Sequence, residues 1–183
     1  MDVNQIIRFY FITDENAPDL SMRRQTEIAV RAGATAVQYR NKTFSPENFT
    51  ELVAIRELCA RHGVPMIVND DIILAKAVDA DGVHLGQEDD NAGIARQIMG
   101  PDAIIGISVS TLEEMAKTDL QVCDYIGTGP VFAHIRKPDA HPVIGLHGLA
   151  AVADASLKPV VAIGGIDASG PHPVFPGERP ACR

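Results

Sequence analysis

Asp70 and Asp89 each follow a short apolar run within MIVNDDIILAKAVDADGVHLGQEDD, the stretch Met66–Asp90. Met66–Val68 reads as a buried strand, Ile73–Ala80 as a helix and Gly82–Leu85 as a second strand. Strand, helix and strand in close succession form a βαβ unit, whose right-handed crossover makes the two strands parallel neighbours. Both aspartates then lie just past the carboxyl ends of adjacent strands, on one rim of one sheet. Two carboxylates held there repel each other unless a cation sits between them. Oxygen-only donors favour Mg²⁺ or another hard ion, commonly one that also holds phosphate. The plainer reading is that Asp70 and Asp71 cap the following helix and Glu88–Asp90 is a solvated loop.

A basic counterpart lies earlier. Gln38, Arg40 and Lys42 alternate at the end of a strand, and a period of two sends all three to one face. If Val37 and Tyr39 pack against helices, that face is the interior of a barrel. Arg grips phosphate oxygens with a rigid fork, and Lys adds a mobile point charge; a solvated strand end explains the pattern equally well. Gly164-Gly165, after the last strand, removes side chains where backbone N–H groups could face an anion, although paired glycines also make ordinary turns. Ser108 ends a strand and can donate to the same ligand or cap a neighbour. Lys137, in a long loop, is a further phosphate candidate or a solvated lysine. His84, inside a strand, reads as a structural histidine. No Ser-His-Asp or Cys-His set is apparent, which favours departure of a phosphorylated group from a diphosphate over attack by an activated nucleophile.

The elements that must position these residues alternate regularly. Strands are expected at Phe9–Thr13, Thr35–Tyr39, Met66–Val68, Gly82–Leu85, Ala103–Ser108, Asp124–Pro130 and Pro159–Gly165. Helices are expected at Ser21–Arg31, Glu47–His62, Ile73–Ala80, Ala92–Met99, Thr111–Lys117 and Leu146–Ala155, with Phe49, Leu52, Val53, Ile55, Leu58 and Cys59 facing the core and Ile28, Ala29 and Ala32 together on one apolar helical face. Seven strands separated by six helices indicate a parallel α/β protein. A dinucleotide fold is poorly supported, because Asp14-Glu15-Asn16 stands where a glycine fingerprint would follow the first strand. Polar residues at nearly every strand end suit a (βα)₈ barrel. Residues 1–166 form that barrel domain, and the proline-rich stretch 167–183 reads as an irregular tail.

The 183 residues suffice for one domain with a sizeable core, and 46% hydrophobic with 22% charged residues is ordinary for a soluble protein. A net charge of −8 argues against nucleic acid or an anionic membrane as partner, so any anion must be caught by a local basic cluster. Cys59, Cys123 and Cys182 are scattered and odd in number, implying neither a disulfide framework nor a zinc site. Without a signal peptide or an apolar run of membrane-spanning length, a cytoplasmic location is expected.

VQYRNK, MIVNDD, DGVHLGQED, GIS, YIGTGPVF and VVAIGGI, in this order and spacing over Phe9–Ile166, resemble thiamine phosphate synthase. The resemblance implies a (βα)₈ barrel that joins hydroxymethylpyrimidine diphosphate to thiazole phosphate with Mg²⁺, releasing pyrophosphate. By it, Gln38 would touch the pyrimidine, Arg40 and Lys42 the diphosphate, and Asn69 would help hold that substrate. Asp70 and Asp89 would ligate Mg²⁺, Ser108 and Lys137 would contact the leaving pyrophosphate, and Gly165 would sit at the thiazole phosphate. The implied mechanism is dissociative: pyrophosphate leaves, the amino-substituted ring stabilises the methylene cation, and the thiazole nitrogen captures it.

Two departures qualify the resemblance. The family usually carries Pro-Thr-x-Thr-Lys where this chain has Ala133-His134-Ile135-Arg136-Lys137, so His134 and Arg136 would have to bind phosphate through N–H donors. The family's helix, eighth strand and closing helix are replaced by the proline-rich tail, which leaves two strand edges open unless the tail or a second chain, as in a homodimer, covers them. Lower stability than a complete barrel and impaired activity follow as expectations. The competing readings are a thiazole tautomerase relative, which carries a histidine where this chain has Pro130, and a shortened, non-catalytic phosphate-binding barrel.

Overall fold

The structure is a computed structural model that describes residues 2–89, 91–132 and 142–166. Seven strands form one parallel sheet in sequence order: β1 (Tyr10–Ile12), β2 (Ala36–Tyr39), β3 (Met66–Asn69), β4 (Gly82–Leu85), β5 (Ile104–Ser108), β6 (Tyr125–Thr128) and β7 (Val160–Ala162). The helices α2 (Met22–Arg31), α3 (Phe49–Arg61), α4 (Ile72–Ala77), α5 (Ala92–Met99), α6 (Leu112–Lys117) and α7 (Gly145–Ala155) occupy the six crossovers. A short α1 (Val3–Ile6), which has no sequence periodicity to announce it, precedes β1.

The sheet curls onto itself. Laid flat at about 4.8 Å per strand, β1 and β6 would stand more than 20 Å apart. Instead the hydroxyls of Tyr10 on β1 and Tyr125 on β6 are 2.7 Å apart, and the rings are 5.7 Å apart between centroids. The fold is therefore a nearly closed (βα) barrel of seven strands. Among the described residues no strand joins β7 to β1.

Alternation along each strand sorts the core into two parts. Val37, Tyr39, Val68, Val83, Leu85, Ile105, Ile107 and Ile126 face outward and pack with Leu52, Ile55 and Cys59 of α3 and with Ile72, Ala75 and Ala95. Ala36, Gln38, His84 and Tyr125 face the interior. Its floor is a separate cluster in which Ile6 and Ile7 pack with Ala36 and Tyr125, against Val3, Tyr10, Ile104 and Val161.

Local signals explain most boundaries. Ser21, Asp71, Asn91 and Thr111 each accept a backbone N–H at a helix start. Two expectations about helix faces need correction. Phe49 is 38% exposed because it opens α3 at the rim, beyond the sheet against which Leu52, Ile55 and Cys59 pack. Ile28 is 47% exposed, because α2 buries Met22, Gln25, Thr26 and Ala29 instead. Gln25 tolerates burial by bonding Asp14 N, Asp14 O and Leu20 O. Cys59, expected to face the core, and Cys123 are both buried free thiols. Burial pushes them up to about 12 and about 11, which disfavours the thiolate at neutral pH.

Candidate active site

The register of β3 and β4 brings the two acidic residues together. Asn69 pairs with His84, and Asp70 N donates to His84 O at 2.8 Å. Asp70 then turns out of the strand with φ of 65°, a left-handed conformation that aspartate tolerates better than most residues. Its carboxylate comes within hydrogen-bonding reach of Asp89. Asp71, not Asp70, caps α4, accepting from Leu74 N at 2.7 Å. The capping reading and the rim reading thus belong to two adjacent residues.

Asp89 is itself aimed by a backbone bond, accepting from Gly86 N at 2.6 Å. Burial, the neighbouring Asp89 and only partial relief from Lys42 raise the Asp70 carboxyl above its ordinary value. A carboxyl destabilised as an anion by its like-charged neighbour is one that a cation would relieve. Among the described residues no third His, Cys, Asp or Glu joins the pair. Two oxygen donors suit a hard ion that keeps waters or phosphate oxygens as its other ligands, so the residues present fit Mg²⁺.

The basic residues stand beside them. Lys42 forms an ion pair with Asp70. Arg40 lies 3.7 Å from Glu15, whose Oε2 is buried without a hydrogen bond while Oε1 accepts from Lys42 N at 3.2 Å. Thr13 ties this corner down: its hydroxyl accepts from Arg40 N at 2.9 Å and donates to Arg40 O at 3.2 Å. A cavity of about 460 Å³ opens at this corner, lined by Asp14, Glu15, Asp19, Asn41 and Thr43 among others; its acidic lining is unsuited to phosphate.

Gln38 is buried in the interior and donates from Nε2 to Tyr10 Oη at 3.1 Å. Ser108 ends β5 and faces His84 Nε2 at 3.0 Å. Gly164 and Gly165 have φ of 93° and 67°, and side chains there would collide with Pro130 and Phe132. Val131 N donates to Ile163 O at 2.9 Å and Phe132 N to Gly164 O at 3.0 Å, fixing the loop after β6 against the glycines. His134, Arg136 and Lys137 lie outside the described residues, as does the stretch after Ile166.

Sequence reasoning missed Tyr10, Tyr125, Glu15 and Gln87. Gln87 Nε2 donates to Ser108 O at 2.6 Å. Burial holds both tyrosines above their ordinary range and pushes His84 down to about 4, so all three are uncharged at neutral pH. The available signal was parity: Tyr10 shares its inward position with Ile12 on β1, and Tyr125 shares its own with Gly127 on β6.

The parallel barrel, with acidic and basic side chains meeting at the carboxyl rim, defines the class as an α/β-barrel enzyme. Residues 9–175 match the family model described as thiamine monophosphate synthase. A thiamine-phosphate synthase of Caldanaerobacter subterraneus subsp. tengcongensis is 41% identical over 91% of this chain and 78% of its own length. One from Chloroflexus aurantiacus is 44% identical over 87% of this chain and 74% of its own. Among solved structures, a thiamine phosphate pyrophosphorylase from Pyrococcus furiosus superposes with a TM-score of 0.78 at 38% identity, over 90% of this chain and 78% of that one. The chain belongs to the thiamine monophosphate synthase family, and it is a transferase of thiamine biosynthesis.

Proposed function

We propose that the rim binds hydroxymethylpyrimidine diphosphate between its acidic and basic corners, and that thiazole phosphate enters over the Gly164-Gly165 turn. The observation that carries this reading is the meeting of Asp70 with Asp89 beside the Lys42 ammonium. Asp70 and Asp89 would hold Mg²⁺, which when bound supplies positive charge to the diphosphate oxygens. Lys42 then has a second anion to pair with, and Arg40 brings its fork to the same group from the next inward position. Asn69, one residue before Asp70, helps hold the pyrimidine diphosphate.

No nucleophile is needed from the protein. Positive charge concentrated around the diphosphate stabilises it as it departs, and the buried Gln38 orients the pyrimidine. The aminopyrimidine methylene cation is then captured by the thiazole nitrogen, giving thiamine phosphate. Ser108 and Lys137 would contact the departing pyrophosphate, and Gly164, Gly165, His134 and Arg136 the thiazole phosphate. The cytoplasm, where both phosphorylated substrates would be retained, is the proposed site of action.

The test is formation of thiamine phosphate from both substrates with and without Mg²⁺. Product that requires the metal and disappears in Asp89→Ala supports the assignment. Undiminished turnover in Asp89→Ala defeats it.

A further inference from the structure

Five side chains from five strands form one unbroken hydrogen-bonded line across the barrel interior. Gln38 Nε2 lies 3.1 Å from Tyr10 Oη, and Tyr10 Oη lies 2.7 Å from Tyr125 Oη. Tyr125 Oη lies 3.0 Å from His84 Nδ1, and His84 Nε2 lies 3.0 Å from Ser108 Oγ. Strands β2, β1, β6, β4 and β5 each contribute one member, so the line links the Gln38 wall to the Ser108 rim.

Each inner member both gives and takes one proton: a phenol through its single O–H and lone pairs, a neutral imidazole through one N–H and one bare nitrogen. Such a line has two self-consistent settings. In the first, Gln38 N–H donates to Tyr10, Tyr10 to Tyr125, Tyr125 to His84 Nδ1, and His84 Nε2–H to Ser108. The serine proton is then free. In the second every bond is reversed, Gln38 offers its carbonyl oxygen to Tyr10, and the serine proton is consumed by His84. Any mixed setting leaves a buried O–H without an acceptor or two lone pairs facing each other.

The structure has the amide nitrogen of Gln38 toward Tyr10, which agrees with the first setting. Gln38 Oε1 has no hydrogen-bond partner among the described residues, so it is free to accept from a ligand. We propose that this line couples the two ends of the site: a ligand amino group held at Gln38 Oε1 selects the setting in which Ser108 presents its proton to a phosphoryl oxygen. Tyr10, Tyr125 and His84 are positioning residues that transmit the choice without touching the ligand. The inference rests on the reading above, in which Gln38 faces the pyrimidine and Ser108 the pyrophosphate. A pyrimidine bearing a carbonyl oxygen in place of the amino group would draw the Gln38 nitrogen toward itself, reverse the line and withdraw the Ser108 proton. Discrimination at one wall thereby reaches the leaving group at the other.

The direct test is the tautomer of His84, read from imidazole ¹⁵N resonances of the histidine-labelled protein and assigned by the signal lost in His84→Gln. The Nε2–H form is expected in the unaltered protein. Gln38→Glu, examined at about pH 8 where a carboxylate only accepts, should convert His84 to the Nδ1–H form, although residue 38 does not touch that ring. An unchanged tautomer in Gln38→Glu, or an Nδ1–H ring in the unaltered protein, overturns the proposal.

The second measurement is calorimetric titration with pyrophosphate and Mg²⁺. Ser108→Ala should weaken binding about tenfold, the loss of one bond to a charged group. Tyr125→Phe should weaken it similarly, and the double variant no further than Ser108→Ala alone. Losses that multiply in the double variant count against the coupling, because a merely structural tyrosine would act independently. Absence of pyrophosphate binding in the unaltered protein counts against the proposed site, while the tautomer result still decides the line.

Discussion

Gly106 lies directly beneath Tyr125 and His84: a methyl group at this position would stand 2.5 Å from His84 Nδ1 and closer still to the hydroxyl-bearing carbon of Tyr125. Only the absence of a side chain on β5 lets the phenol and the imidazole meet inside the barrel. Gly106→Ala should destabilise the protein by about 1–3 kcal/mol, the usual cost of overpacking. Gly127→Ala, whose new methyl would meet His84 Cε1 at 3.0 Å, should cost less. Urea denaturation of the two variants gives the comparison, and equal stability losses would mean that the interior yields more readily than the contacts imply.

Adjacent aspartates should separate function from stability. Asp70→Asn should abolish metal-dependent product formation while leaving the fold intact. Asp71→Ala removes the α4 cap and should cost about 1 kcal/mol in stability with turnover retained. Loss of activity in Asp71→Ala at a temperature where it is fully folded would reverse the assignment.

Arg40 and Glu15 should behave as a coupled pair. Arg40→Ala leaves Glu15, 9% exposed in its side chain, buried without its cation, at a cost of about 2 kcal/mol. Arg40→Ala combined with Glu15→Gln should recover much of that stability and none of the activity. Thermal melts and turnover assays of the three proteins separate the two effects; recovered turnover in the pair would show that Arg40 does not touch the diphosphate.

Acid should destabilise the protein through His84. Its folded pKa is lowered to about 4, whereas the unfolded ring titrates near about 6.5. Between these values the unfolded state binds the extra proton, so this contribution is fully present above about pH 6.5. It falls as pH drops through the window, by about 3 kcal/mol in all. His84→Asn should flatten that part of the stability profile, and an equal slope in both proteins would place the acid sensitivity elsewhere.

The strands were legible as short, mostly apolar runs that end at polar residues or glycines. The carboxyl rim followed from the βαβ rule, and the inward direction of Gln38 followed from period two. Other features were not legible for physical reasons. The difference between Asp70 and Asp71 lies in one positive φ, which no composition signals. Helix α1 is four residues long, too short to show a period, yet it delivers Ile6 and Ile7 to the barrel floor. Tyr10 meets Tyr125 only because the sheet curls, and the curvature that pairs strand-interior side chains across a barrel leaves no trace in local sequence. The place of His84 within a strand predicts a structural histidine, but position alone does not reveal that its two ring nitrogens meet Tyr125 and Ser108.

The paired phenols in the interior have an optical consequence. The sequence contains no tryptophan and three tyrosines. Near-ultraviolet emission therefore arises from Tyr10, Tyr39 and Tyr125, and two of these are hydrogen-bonded to each other beneath the mouth. The chamber below the rim thus holds its own chromophore, and filling the site should change tyrosine emission and near-ultraviolet circular dichroism, a signal that needs no label.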